Sequence, residues 1–366
     1  MTPSRRGRRR PPDGAAGTAA NQAGRAPAAA PAPAPAPAPA ERSPAGSGGQ
    51  AGPPAGRESG MRRCLLVVVL VAVGLVPNGV HAAAAGACPV FPADNPWNTD
   101  VSAYPLHPRS ADYLRSIGLT ETLHPDFGTV WAGAPNGIPY VHVGAGQRDV
   151  PVRFAYDDES DPGPYPIPPD APIEGGPDGD GDRHVIVVDD ADCRLYELFD
   201  AHPLRDGRRW RAGSGAVFDL RSNALRPDHW TSADAAGLPI YPGLVRYDEV
   251  VGDGVIDHAL RFTVSRTQRG FVHPATHFAS SSTDPTLPPM GLRLRLRAAY
   301  SCAGLSSEVQ VICTALKRYG MFVADNGSDW YVSGAPDPRW DDDALHDLGA
   351  IPGSAFEVVD TGPIIR

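Results

Sequence analysis

The chain has 366 residues, with 33 Lys and Arg against 42 Asp and Glu, a formal net charge of −9, and 41 prolines beside 40 glycines. Its basic residues concentrate at the start, so the remainder is more acidic than that figure and lacks the basic face that nucleic-acid binding needs. No apolar stretch reaches the ~20 residues of a membrane-spanning helix.

Residues 1–60 combine the basic run Arg5 to Arg10, an Ala/Pro alternation from Ala28 to Ala40 and a Gly/Pro/Ser-rich stretch from Ser43 to Gly60. Such a segment has almost nothing to bury and is expected to be a disordered, low-complexity segment upstream of a true start at Met61. Residues 61–82 carry the three parts of a secretory signal peptide. Met61-Arg62-Arg63 is basic, Cys64 to Val76 is apolar but for Gly74, and small residues follow Pro77-Asn78-Gly79. The chain is therefore expected to be secreted and extracellular, with residues 83–366 forming a single β-rich domain large enough for one core. Cys88, Cys193, Cys302 and Cys313 remain after the signal. An even number in an oxidising compartment implies two disulfides; three pairings are possible, and Cys302–Cys313 with Cys88–Cys193 is favoured.

In chain order, Ser110 to Ile117 reads as a short helix with Ser110 as its cap and Gly118 as its stop. Ile138 to Val143 and Val150 to Tyr156 read as strands. Pro162 to Asp182 is a long Pro/Gly/Asp-rich loop. His184 to Asp189 and Arg194 to Asp200 suggest a hairpin, and Arg209 to Leu220 one further strand. Thr231 to Asp234 resembles a helix start, and Leu244 to Val251 a short helix. Ala259 to Val264 and Gly270 to His273 read as strands. Gly291 to Ala298 alternates Leu292, Leu294 and Leu296 with Arg293, Arg295 and Arg297, the pattern of a strand with one wet face. Ser306 to Tyr319 is the best helix, with Val309, Ile312 and Leu316 on one face and Gly320 at its end. Met321 to Ala324 and Trp330 to Ser333 read as strands around Asp325-Asn326-Gly327, Ala344 to Leu348 as a short helix and Phe356 to Val359 as a closing strand. These elements predict an α+β, β-rich fold: an antiparallel sandwich or barrel with a few short helices.

Three stretches, AGLPIYPGLVRYDEV from Ala236, PPMGLRLRLR from Pro288 and ALKRYGMFVADNGSDWYVSG from Ala315, resemble a family of secreted, mostly bacterial proteins of no established function. The resemblance implies one extracellular domain and carries over no catalytic residue.

Chemistry is sought in three places. Asp178, Asp180 and Asp182 alternate with glycines and suggest a calcium loop, although Arg183 stands where an EF-hand has its turn glycine. His184, His258, His273 and His277 could converge as imidazole ligands or line a cleft. Carboxylates beside aromatics suggest glycoside chemistry, which needs two carboxyl groups about 5–10 Å apart: Asp219 and Asp325 as the pair, Glu174 beside them, and His184, His258, His277, Trp330 and Tyr331 as substrate-binding residues. No nucleophile elbow, zinc-protease or phosphate-loop motif is present. The expectation is a secreted carbohydrate-active protein, a glycoside hydrolase if an enzyme, acting on an extracellular polysaccharide or cell-wall glycan. The alternative is a non-catalytic matrix-interaction module stabilised by calcium and disulfides.

Overall fold

A computed structural model of the chain describes residues 88–366; the expected low-complexity segment 1–60 and signal peptide 61–82 lie outside them. From the amino end come α1 (Ser110–Ile117), β1 (His124–Asp126), the small hairpin β2 (Val130–Trp131) and β3 (Ala134–Pro135), β4 (Tyr140–Val143) and β5 (Val152–Phe154). The middle supplies β6 (Val185–Asp189), β7 (Arg194–Phe199), β8 (His202–Leu204), β9 (Arg209–Ala212), β10 (Ser214–Asp219) and β11 (Leu260–Val264). The last third holds β12 (Arg293–Leu296), α2 (Ser307–Arg318), β13 (Met321–Asn326), β14 (Tyr331–Ser333), α3 (Asp342–Leu345) and β15 (Phe356–Val358).

The α+β, β-rich class expected from the sequence is what the chain forms. Its sheets are open rather than closed into a barrel, and mixed rather than wholly antiparallel. A six-stranded sheet has the order β1-β14-β11-β13-β12-β15, a four-stranded one β10-β7-β6-β4 and a three-stranded one β5-β9-β8. The pairs β1–β14, β11–β13, β4–β6 and β5–β9 are parallel. Ile186, Val188, Leu195 and Phe218 of the four-stranded sheet belong to the main core shared with the six-stranded sheet and α2. Val185, Val187 and Leu198 face a second core with Tyr165 and Trp210. Burial on both faces explains why β6 reads as the continuous run Val185-Ile186-Val187-Val188 instead of alternating.

Several local expectations change for identifiable reasons. Arg109, not Ser110, precedes the first turn of α1; the Ser110 hydroxyl instead accepts the Val358 N–H at 2.9 Å and docks the helix on β15. Arg209 to Leu220 is two strands in two sheets, split at Gly213, where a Cβ would lie 2.6 Å from the Phe199 ring. Thr231 to Asp234 is not helical, because Ser232 and Asp234 bond their own neighbouring backbone, the competition that keeps such residues out of helices. The short helix expected over Leu244 to Val251 forms later, as a π-helical stretch at Asp248–Asp253 closed by Gly254 at φ +68°. Gly270 to His273 makes only single bridges through Phe271.

β13 and β14 flank the expected turn but do not pair; β11 lies between them. The arginine face of β12 is not wet. Arg293 is fully buried, donating to the carbonyls of Tyr319 at 2.7 Å, Pro96 at 2.6 Å and Thr99 at 2.9 Å, with Phe322 beneath it at 4.7 Å. α2 keeps its expected face of Val309, Ile312 and Leu316, and Gly320 ends it at φ +69°, where a Cβ would meet the Leu294 carbonyl at 2.1 Å.

Both favoured disulfides form, Cys88–Cys193 and Cys302–Cys313. Among the described residues no helix is long and apolar enough to cross a membrane.

Candidate functional site

A group of interacting charges lies where the six-stranded sheet meets the start of β6. β1, β11, β13 and β14 bring up Asp126, Arg261, Asp325 and Ser333. His184 stands just before β6, Glu174 and Asp182 come from the long loop, and Asp234 from the segment Ser232 to Leu238 that wedges between the sheets.

The register accounts for the placement. Asp126 is paired with Ser333, and the Ser333 hydroxyl accepts from Arg261 Nη1 at 2.7 Å. The parallel β11–β13 ladder runs Phe262↔Val323 and then Thr263↔Asp325, so Ala324 is bulged out. Bulges re-aim side chains. The freed Ala324 carbonyl accepts the Ala236 N–H at 3.1 Å, and the Asp325 carboxylate takes the Ala235 N–H at 3.4 Å.

The wedge itself is held from all sides. Asp234, with no exposed side-chain surface, pairs with Arg261 at 3.1 Å and accepts the Ala236 N–H at 3.0 Å. Ser214 Oγ donates to Ser232 O at 2.6 Å. His277 Nδ1 donates to Ala235 O at 2.8 Å. Gly237, at φ +72°, sits where a Cβ would lie 2.2 Å from Thr276 Oγ1.

His184 lies between two acceptors: its Nδ1 is 2.6 Å from Glu174 Oε2 and its Nε2 is 3.0 Å from Ala233 O. Only the imidazolium donates from both nitrogens. Burial works against that charge, but the Glu174 carboxylate outweighs it and raises the His184 pKa to about 9. Glu174 shows the counterpart: burial would raise its pKa, yet His184 holds it below the usual range.

The other carboxyls move the opposite way. Burial, then the neighbouring Asp234 charge, pushes Asp325 far above the ordinary carboxylate range, with Arg261 only partly offsetting this. Asp234 carries the charge in that pair because it holds Arg261 directly. Asp126 keeps solvent access, but surrounding protein, and then Glu174, pushes it up to about 6. Exposed Asp126 marks the solvent-facing opening, or cleft, of this cluster. Behind it, Glu197 is fully buried and lifted to about 7 by desolvation, tempered by the N–H groups of Tyr241 and Ile240; these donate to it at 2.9 Å.

Of the residues singled out in the sequence, Asp325, Glu174, Asp182, His184 and His277 come together here. Asp219 does not. It is paired with Arg194, and Arg194 with Asp189 at the far end of β6, about 16 Å along the strand from the level of His184 at 3.3 Å per residue. There it caps its own turn by accepting the Arg221 N–H at 3.0 Å.

Trp330 is wholly buried rather than a platform, with its indole donating to Gly118 O at 2.9 Å. The Tyr331 ring packs tilted against His124 at 4.1 Å. His258 is buried in another cluster with Arg246 and Glu249, and His273 pairs with Asp228 on the surface. Asp178, Asp180 and Asp182 are all exposed. Among the described residues no three His, Cys, Asp or Glu side chains are gathered closely enough to hold a metal ion.

Sequence reasoning missed Asp126, Asp234, Arg261 and Glu197. Two left a trace: Arg261 and Glu197 are single charges inside largely apolar strand runs, ALRFTV and LYELF. No protein-family model, curated protein or solved structure matches this chain.

Proposed function

We propose that the chain is a secreted carbohydrate-active enzyme that hydrolyses glycosidic bonds in this cleft. The observation that supports the reading is one buried cluster whose carboxyl groups are pushed in opposite directions: Asp325 upward by burial and the Asp234 charge, Glu174 downward by its hydrogen bond to His184. Carboxyl groups whose pKa values are pushed apart by their surroundings suit the acid and base roles of glycoside hydrolysis. Asp325 gives its proton to the departing glycosidic oxygen. Glu174, oriented through Oε2 by His184, activates water or stabilises the oxocarbenium-like centre. The Ala235 N–H and the bulge before it position Asp325, while Asp234 and Arg261 act on it through their charges and do not touch the substrate. The two disulfides accord with export.

The test is release of reducing ends from a panel of polysaccharides. Asp325→Asn is expected to lower the rate by 10²–10⁴, the usual contribution of a general acid, and Glu174→Gln to a comparable extent. Asp219→Asn is expected to stay within about twofold. A wild-type protein that binds a glycan firmly yet releases no reducing ends would sink the hydrolase and leave a matrix-binding module.

A further inference from the structure

Beside the cleft lies a concavity of about 300 Å³ lined by Pro139, Tyr140, Pro172, Tyr247 and Pro336, within the size range of small-ligand sites. Two pairs of residues join it to the acidic centre. Ser333, hydrogen-bonded to Arg261, is two residues from Ala335 in the concavity wall. Glu174 is two residues from Pro172 in the opposite wall. Two residues of chain span at most about 7 Å, so the hollow lies next to the acidic centre.

Its aromatic walls are packed from behind, and the two carboxylates in its lining, Asp248 and Asp337, are paired. Tyr140 packs edge-on against Tyr241 at 4.9 Å and Tyr247 against Trp340 at 5.0 Å. At the rim, Asp248 and Asp337 both hold Arg339, whose guanidinium lies 4.1 Å over the Tyr247 ring. Aromatic and proline faces with paired polar groups at the edge suit a ring that has an apolar face and a hydroxylated edge.

Charge narrows the class further. Ten of the 33 basic residues but only three of the 42 acidic ones precede Ala83, leaving a net charge of −16 on residues 83–366. Such a surface, with carboxylates concentrated in the cleft, repels uronate and sulfated chains.

We infer that this concavity is a sugar-binding subsite adjoining the acidic centre, and that its ligand is an uncharged or amino-sugar oligosaccharide rather than a polyanion. The inference rests on the glycosidic reading of the cleft, and its test separates the two. Binding is measured calorimetrically on the Asp325→Asn chain, whose turnover is expected to be 10²–10⁴ slower. The probes are cello-, malto-, xylo- and chito-oligosaccharides, with oligogalacturonate and a heparin fragment as the acidic set.

At least one neutral or amino-sugar probe is expected to bind. Adding Ala335→Trp, which fills the hollow, or Tyr140→Ala, which removes a wall, is expected to weaken that binding tenfold or more while thermal melting shows each variant folded. If both folded variants bind as tightly as the parent, the subsite is overturned, and hydrolysis by the wild type still stands or falls on its own. Preference for the acidic set overturns the substrate class. Failure of every neutral and amino-sugar probe to bind at millimolar concentration overturns the inference outright.

Discussion

At the scale of single residues, the chemistry of the cleft comes from desolvation acting on groups that differ in partners. His184 and Glu174 face one another and both ionise; Asp325 faces another carboxyl and does not. The His184 pKa lies at about 9 in the folded chain against an ordinary 6.5, so folding tightens its hold on the proton. That stabilisation, about 3 kcal/mol at roughly 1.4 kcal/mol per pKa unit, is complete below pH 6.5 and is lost as the pH rises through about 9. Glu174 is lowered instead, so its share is present above an ordinary pKa of 4.5 and disappears as the pH falls through its depressed value. Melting temperatures of wild type and His184→Gln should therefore differ most near pH 6 and converge by about pH 10. A difference that does not vary with pH would show that the imidazole is neutral. Activity should follow the same logic: a bell whose acid limb reports Glu174 and whose alkaline limb reports Asp325. Arg261 lowers the pKa of Asp325, so Arg261→Met should move the alkaline limb upward.

At the scale of elements, the cleft depends on backbone that no periodicity announces. The bulge at Ala324 turns Asp325 toward the wedge, and Gly237 lets the wedge turn back under Thr276. Gly237→Ala meets both a positive φ and a hydroxyl 2.2 Å away, and should cost more than the ~1–2 kcal/mol of a left-handed alanine alone. Urea unfolding would read that loss. A stability unchanged within about 0.5 kcal/mol would mean that the wedge is not held as described.

The same contrast explains what the sequence disclosed. β7, β15 and both longer helices were legible because a buried face imposes its period on the side chains, and β6 and β11 because burial on both faces leaves a short apolar run. Asp325 and Glu174 were legible as types, since carboxylates beside glycines and aromatics are conspicuous. Their partners were not. Nothing local says that Asp126 and Asp325, almost 200 positions apart, stand over one cleft. Long-range pairing of β1 with β14 and insertion of β11 between β13 and β14 bring them there. Asp219 looked equivalent to Asp325, and only the register of β10 puts it at the other end of its sheet.

At the scale of the molecule, two cysteine bridges do different amounts of work. Cys88–Cys193 spans 105 positions and ties the segment ahead of α1 to the turn between β6 and β7; Cys302–Cys313 spans 11 and closes a loop into α2. In the chain-entropy account, cross-linking restricts the unfolded ensemble more as the enclosed loop lengthens, about 4–5 kcal/mol for the first bridge and about 3 kcal/mol for the second. The longer bridge also anchors the segment whose carbonyls at Pro96 and Thr99 receive the buried Arg293 guanidinium. Removing it should therefore release that segment and expose a cation without a carboxylate partner. Paired Cys→Ala variants, melted under identical conditions, should show the larger loss for Cys88/Cys193. Amide exchange in that variant should rise along β12 and over Pro96 to Thr99, and His184, on the other side of the wedge, should keep its elevated pKa. An equal loss for both variants, with exchange unchanged at β12, would mean that the amino-terminal segment is held by its packing alone and that the long bridge adds nothing to the core.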